Sequence, residues 1–178
     1  MSSIFAGLLI VMIVFNFTVN DSVIELLPDF IGYFLIFRGL GILNGESEEF
    51  GKAKPWTIGM IAFSATIYVL DLFGAASSMG VFAYIVSLTA TVIFLYILHI
   101  IIKGMLDIET KRSCNLNAEQ LKNVWLTNSI VQVAAFGLNI IPKLALISLV
   151  IAFISSIVIL ILFSKSTKLY NKLDGSTK

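Results

Sequence analysis

Cysteine and histidine are nearly absent: the 178 residues hold one of each, Cys114 and His99. A lone thiol excludes an internal disulfide framework, a CxxC redox pair and a multi-thiolate metal site. Charge is scarce as well, at 13 % Asp, Glu, Lys and Arg, about half the share of an ordinary soluble domain. The two signs nearly cancel, with 12 basic against 11 acidic side chains, so the broad basic surface that nucleic acid requires is missing. No HExxH, GxSxG, Walker or dinucleotide-glycine pattern occurs. No cofactor, metal site or catalytic residue is therefore expected, and an enzyme is the weakest functional class. His99, with Lys103 one turn on, reads as a structural residue. The acidic run Glu46, Glu48 and Glu49 has no histidines beside it and reads as a solvated loop.

What the chain has in excess is apolar residues, 58 % of the total, with a mean hydropathy of +0.97 spread along nearly the whole length. One signal peptide or anchor cannot account for that spread, and the lipid bilayer is the first expected partner. A bilayer core takes about 20 apolar residues per helix. Six stretches qualify, at about 4–20, 26–43, 57–75, 81–102, 122–141 and 144–164. The expected fold is all-α: a polytopic integral membrane protein with a six-helix transmembrane domain over 1–164 and a basic, frayed cytoplasmic tail over 165–178. With the N-terminus inside, every Lys and Arg except Lys143 falls on the cytoplasmic side, so both termini are expected there. Ser22 with Glu25, and Asn117 with Gln120, have the spacing of capping boxes before helices two and five. Asn44-Gly45 is a stop signal, Pro55-Trp56 is expected to open helix three, and 103–117 reads as a solvated loop.

The helix faces carry the functional signal. Small residues mark close packing in lipid, and Gly32 with Gly39, Ala83-Ser87-Thr91 and Ser148-Ala152-Ser156 read as such seams. The odd-numbered helices are more polar. Asn128, Gln132 and Asn139 share one face of helix five, within about 40° of one another at 100° per residue. Ser64, Tyr68 and Asp71 share a face of helix three, Asn16 and Asn20 stand one turn apart on helix one, and Asp29 and Tyr33 share a face of helix two. These groups converge on the outer half. An ionised carboxylate at such depth costs a few kcal/mol unless paired or wetted. Lys143 is the one outer basic residue in reach of Asp29 or Asp71, and Arg38 lies on the opposite face from Asp29. The outer face thus sums Asp21, Glu25, Asp29 and Asp71 against Lys143, a cation-attracting vestibule.

The run Leu27-Pro28-Asp29-Phe30-Ile31-Gly32-Tyr33, followed by Arg38-Gly39-Leu40, Glu46-Ser47, Phe50 and Lys52-Ala53-Lys54, resembles uncharacterised small polytopic membrane proteins of Gram-positive bacteria. The resemblance covers about the first third of the chain and implies a bacterial plasma-membrane address, with no activity attached. In size and span count alone the chain is also similar to the substrate-capturing subunits of energy-coupling-factor vitamin importers. Their Ala-xxx-Ala docking signature is absent from Ile4–Val19.

The first functional expectation is binding, with or without passage, of a small solute or cation in an outer polar pocket. Its candidate residues are Asn16, Asp29, Tyr33, Tyr68, Asp71, Gln132 and Asn139. The alternative is a scaffold or interaction subunit, whose polar seams hold the bundle together or hold another membrane protein. The first requires a water-accessible concavity of a few hundred Å³. The second requires the helix-five stripe to be consumed by interhelical bonds.

Overall fold

The computed structural model describes residues 1–13, 16–19, 22–25, 27–73, 80–138 and 142–176; positions 16–19, 22–25, 80, 138, 142, 145, 149, 175 and 176 are described by their backbone alone. Within these residues the chain forms α1 (Ser2–Met12), a hairpin of β1 (Asn16–Val19) and β2 (Ser22–Glu25), α2 (Asp29–Leu43), α3 (Glu49–Leu72), α4 (Gly80–Arg112), α5 (Ala118–Leu138) and α6 (Pro142–Ser176). Each helix packs on its successor, and α6 returns to α1, so the six close into a ring. The Asn171 side-chain amide donates to Ser2 Oγ at 3.2 Å, which puts the start of α1 and the last turns of α6 at one end of the bundle. We call that the near end. The hairpin, the last turns of α3 and α5 and the first turns of α4 and α6 lie at the far end.

The fold is predominantly helical, as composition demands, but the first span is not one helix. α1 stops at Met12, where Ile13 turns extended at φ −107° and ψ 96°. Asn16 pairs across the hairpin with Glu25, and Val19 with Ser22. The helical pairing of Asn16 with Asn20 therefore does not form: Asn16 stands on a strand, and Asn20 lies outside the described residues. Ser22 and Glu25 likewise belong to β2 and form no capping box. The local cause is legible in the residues: Asn-Phe-Thr-Val and Ser-Val-Ile-Glu are rich in aromatic and β-branched side chains, which fit a pleated strand.

Among the described residues three helices are long and apolar enough to cross a membrane, Glu49–Leu72, Val81–Arg112 and Leu146–Asp174, fewer than the six spans expected. α1 and α2, at 11 and 15 residues, rise only about 17 and 22 Å against a hydrocarbon core of about 30 Å. Other boundaries differ from expectation too. α3 begins at Glu49 and takes Pro55 inside its second turn. α4 runs on to Arg112, so only 113–117 remains a connection. α6 continues to Ser176 where a frayed tail was expected from Lys165. Its last turns are held: buried Ser166 donates to the Leu116 carbonyl, and Tyr170 lies under the Arg112 guanidinium at 5.9 Å. The start of α5 is capped from α4, because Glu109 Oε1 accepts the Leu116 and Ala118 amides. Asn117, at φ 61°, occupies a left-handed turn in place of the expected capping box.

The dry core fills the near half. Leu40, Leu43, Phe50, Ile97, Leu98, Ile101, Met105 and Phe163 are fully buried. Glycine permits the tightest approaches. A Cβ on Gly104 would lie 2.6 Å from Phe50 Cζ, and one on Gly32 2.9 Å from the Gly7 carbonyl oxygen. Gly39 meets Ile4 in the same way, so the Gly32–Gly39 seam is a helix contact, with Gly7 as its counterpart on α1. In α4, by contrast, Ser87 lies exposed instead of in a packed seam. The near rim is charged: Arg112 pairs with Glu46, and Lys111 with Asp107 at 2.7 Å. Large apolar side chains of α3, α4 and α6, among them Ile58, Val92 and Phe153, point outward, as a lipid-facing surface requires.

Candidate functional site: a polar pocket inside the ring

Above the dry core, toward the far end, lies a pocket of about 270 Å³ with lining residues from all six helices. α3 contributes most, since Met60, Ser64, Ile67, Tyr68 and Asp71 recur at helical spacing on one face. α2 adds Asp29 and Tyr33 from its first two turns. They are placed there by Pro28, whose extended ψ of 136° ends the hairpin connection and starts the helix. Gln132 enters from α5, Thr91 and Phe94 from α4, Ser156 from α6, and Val11 and Met12 from the last turn of α1. Tyr33, 3 % exposed, meets Phe94 edge to face at 6.4 Å between ring centres. Together with Met60 this pair forms the floor that separates the pocket from the core. Higher up, Tyr68 is set by a similar contact with Phe30 at 5.8 Å.

Five of the seven candidate residues thus line one cavity: Asp29, Tyr33, Tyr68, Asp71 and Gln132. Asn16 stands on β1 with its side chain outside the described set, and Asn139 lies outside the described residues altogether. Thr91 and Ser156, read from sequence as packing seams, also reach the pocket. Their stripes on α4 and α6 were the available signal, since small hydroxyl residues serve close packing and pocket walls alike. The hydroxyl of Ser64 donates to the Met60 carbonyl at 2.6 Å and that of Thr91 to Ser87 at 2.9 Å. Each proton satisfies its own helix, and each oxygen remains an acceptor.

The helix-five stripe divides. Asn128 is fully buried and joins α5 to α6, accepting the Ser155 hydroxyl at 2.7 Å on Oδ1. Gln132 Nε2 donates to the same oxygen at 3.3 Å, while the residue still lines the pocket. Asn128 Nδ2 is buried without a partner among the described residues.

The electrostatics are one-sided. Among the described residues, Asp29 and Asp71 are the acidic groups of the lining, and no Lys, Arg or His belongs to it. Lys143 is exposed at the start of α6 and forms no ion pair with Asp71, so the pairing considered from sequence is not made there. Among the described residues no group of three His, Cys, Asp or Glu is arranged to hold a metal ion. His99 lies below the floor, its ring 4.5 Å from that of Trp125, whose indole N–H donates to the Leu95 carbonyl at 3.0 Å. No protein family, curated protein or solved structure matches the chain.

Proposed function

We propose that the chain is a six-span protein of the bacterial plasma membrane, with both termini in the cytoplasm, that binds a small solute or cation in its outer pocket. The observation that carries this reading is the cavity itself. Side chains of all six helices meet around it, its fixed charges among the described residues are two carboxylates, and a layer of packed aromatic and aliphatic groups closes it below. A pocket sealed on one side suits capture better than free conduction. Its volume falls slightly below the usual range of about 300–1,000 Å³ for ligand sites, which favours a small ligand.

Orientation is supported by charge. Lys52, Lys103, Lys111, Arg112, Lys122, Lys165, Lys168 and Lys172 are exposed in the near half, the side that basic residues keep in the cytoplasm. The contact between Ser2 and Asn171 favours an even number of crossings. α1 followed by β1 reaches about 30 Å, the thickness of the hydrocarbon core, so the hairpin strand completes the first crossing. Sheet edges are not tolerated against lipid tails, and β2 packs on α3.

The scaffold reading is favoured by one observation, the bond between Asn128 and Ser155, which ties two helices with no role for a ligand. Thermal unfolding of the purified protein with added inorganic cations, small amines and carboxylates separates the two. Binding predicts stabilisation by some cationic solute that falls in Asp71→Asn and Asp29→Asn while expression holds. A scaffold predicts no ligand-dependent shift in any of the three proteins.

A further inference from the structure

The pocket is not the only cavity on its side of α3. A groove of about 320 Å³ runs between α3 and α4, walled by Pro55, Trp56, Gly59 and Ile93. Met60, Phe63 and Ala90 line both the groove and the polar pocket, so these side chains stand between the two. Two of them are adaptable or small: Met has three soft torsions, and Ala leaves room. The groove lies on a surface where Ile58 and Val92 are half exposed, the face turned toward lipid in the proposed arrangement.

We propose that the ligand is a hydrophobic ammonium compound, its cationic centre beside Asp29 and Asp71 and its apolar body lying across Met60, Phe63 and Ala90 in the α3–α4 groove. This deepens the proposed binding function and rests on it. Three features select that chemistry. Among the described residues the lining offers negative charge and no positive group, which disfavours anions. A bare metal ion needs six or more oxygen ligands at about 2–2.6 Å, whereas among the described residues no group of three His, Cys, Asp or Glu is arranged to hold one. Tyr33, Phe63, Tyr68 and Phe94 instead present aromatic rings, whose faces attract an organic cation and tolerate its carbon substituents. Continuity with an apolar groove then supplies what a hydrated inorganic ion could not use. Such a ligand partitions into the bilayer and reaches the pocket laterally, between α3 and α4.

The test uses the full chain in nanodiscs, with empty nanodiscs as the blank, and equilibrium dialysis of tetramethylammonium, benzyltrimethylammonium and benzenesulfonate. Gly59→Leu fills the groove without touching the pocket, since nothing lies within 4 Å of a Cβ at that position. The expected result is benzyltrimethylammonium binding at least tenfold tighter than tetramethylammonium, with benzenesulfonate unbound. Gly59→Leu should erase the benzyl advantage and leave tetramethylammonium unchanged. Asp29→Asn combined with Asp71→Asn should weaken both cations at least tenfold. Equal affinity of the two cations, or an undiminished benzyl advantage in Gly59→Leu, overturns the groove assignment and leaves cation binding standing. Failure of either cation to bind, or binding indifferent to both Asp→Asn changes, overturns the underlying function and this inference with it.

Discussion

Replacing Gly7 by Ala tests whether the pocket depends on a backbone contact at its base. In the native chain α1 and α2 meet where a Cβ on Gly7 would stand 2.7 Å from Ile36 Cγ1, 2.9 Å from Ile36 N and closer still to the Gly32 carbonyl oxygen. Ordinary carbon contacts begin near 3.5 Å. Two of these three neighbours are backbone atoms, so no rotamer change relieves the clash, and the helices must part by roughly 1 Å. Overpacking of this kind costs about 1–3 kcal/mol. The proper control is Gly41→Ala, on α2 itself, where an added Cβ meets nothing; it carries the same helix-propensity gain of about 1 kcal/mol. Thermal unfolding followed through Trp56 and Trp125 should place Gly7→Ala below Gly41→Ala by on the order of 5 °C, taking about 2–4 °C per kcal/mol for a chain of this size. Because α2 carries Asp29 and Tyr33, its displacement should also loosen the pocket. Identical midpoints for the two variants would refute the close packing of α1 on α2.

Four further outcomes follow from the same structure. Ser155→Ala removes the hydroxyl that bonds Asn128, and should destabilise the protein by about 0.5–1.5 kcal/mol in unfolding measurements. Glu46→Gln disconnects Arg112 at a partly exposed site, so its cost should stay under about 1 kcal/mol and shrink with added salt. Gly104→Ala forces a methyl group into the buried Phe50 ring and should cost about 1–3 kcal/mol, recovered in part by Phe50→Leu in a double-mutant cycle. Cys114, partly exposed in the near-end connection, should react with a membrane-impermeant maleimide only after cells are permeabilised. Reaction in intact cells would invert the proposed orientation.

How much of this was legible in the sequence follows from which interactions are local. Helical periodicity alone placed Ser64, Tyr68 and Asp71 on one face, and Asp29 beside Tyr33, and those residues line one cavity. The stop of α2 at Asn44 is also a local event, fixed by a turn residue. The first span misled because hydropathy does not distinguish helix from strand. Phe17, Thr18, Val19, Val23 and Ile24 satisfy an apolar window while favouring extended backbone. The signal that separates the two is the dipeptide Asn20-Asp21, two turn-favouring residue types between those runs in the sequence. Capping of α5 was not legible, because Glu109 reaches it from the preceding helix and a capping box looks only at its own neighbours. Nor could sequence separate Asn128 from Gln132. They share a face, and only the depth of Ser155 on α6 turns the first into a helix tie.

The central claim is that Asp29 and Asp71 make a wetted, cation-preferring pocket above a dry floor. Its most direct measurement is the reaction rate of single cysteines, in a Cys114→Ser background, with methanethiosulfonates carrying either an ammonium or a sulfonate. Ser64→Cys, in the pocket wall, should react about tenfold or more faster with the ammonium reagent, and this preference should vanish when both aspartates are Asn. Ile97→Cys, fully buried in the near half, should react with neither. Equal rates for the two reagents at Ser64→Cys, or no reaction there at all, would contradict the account.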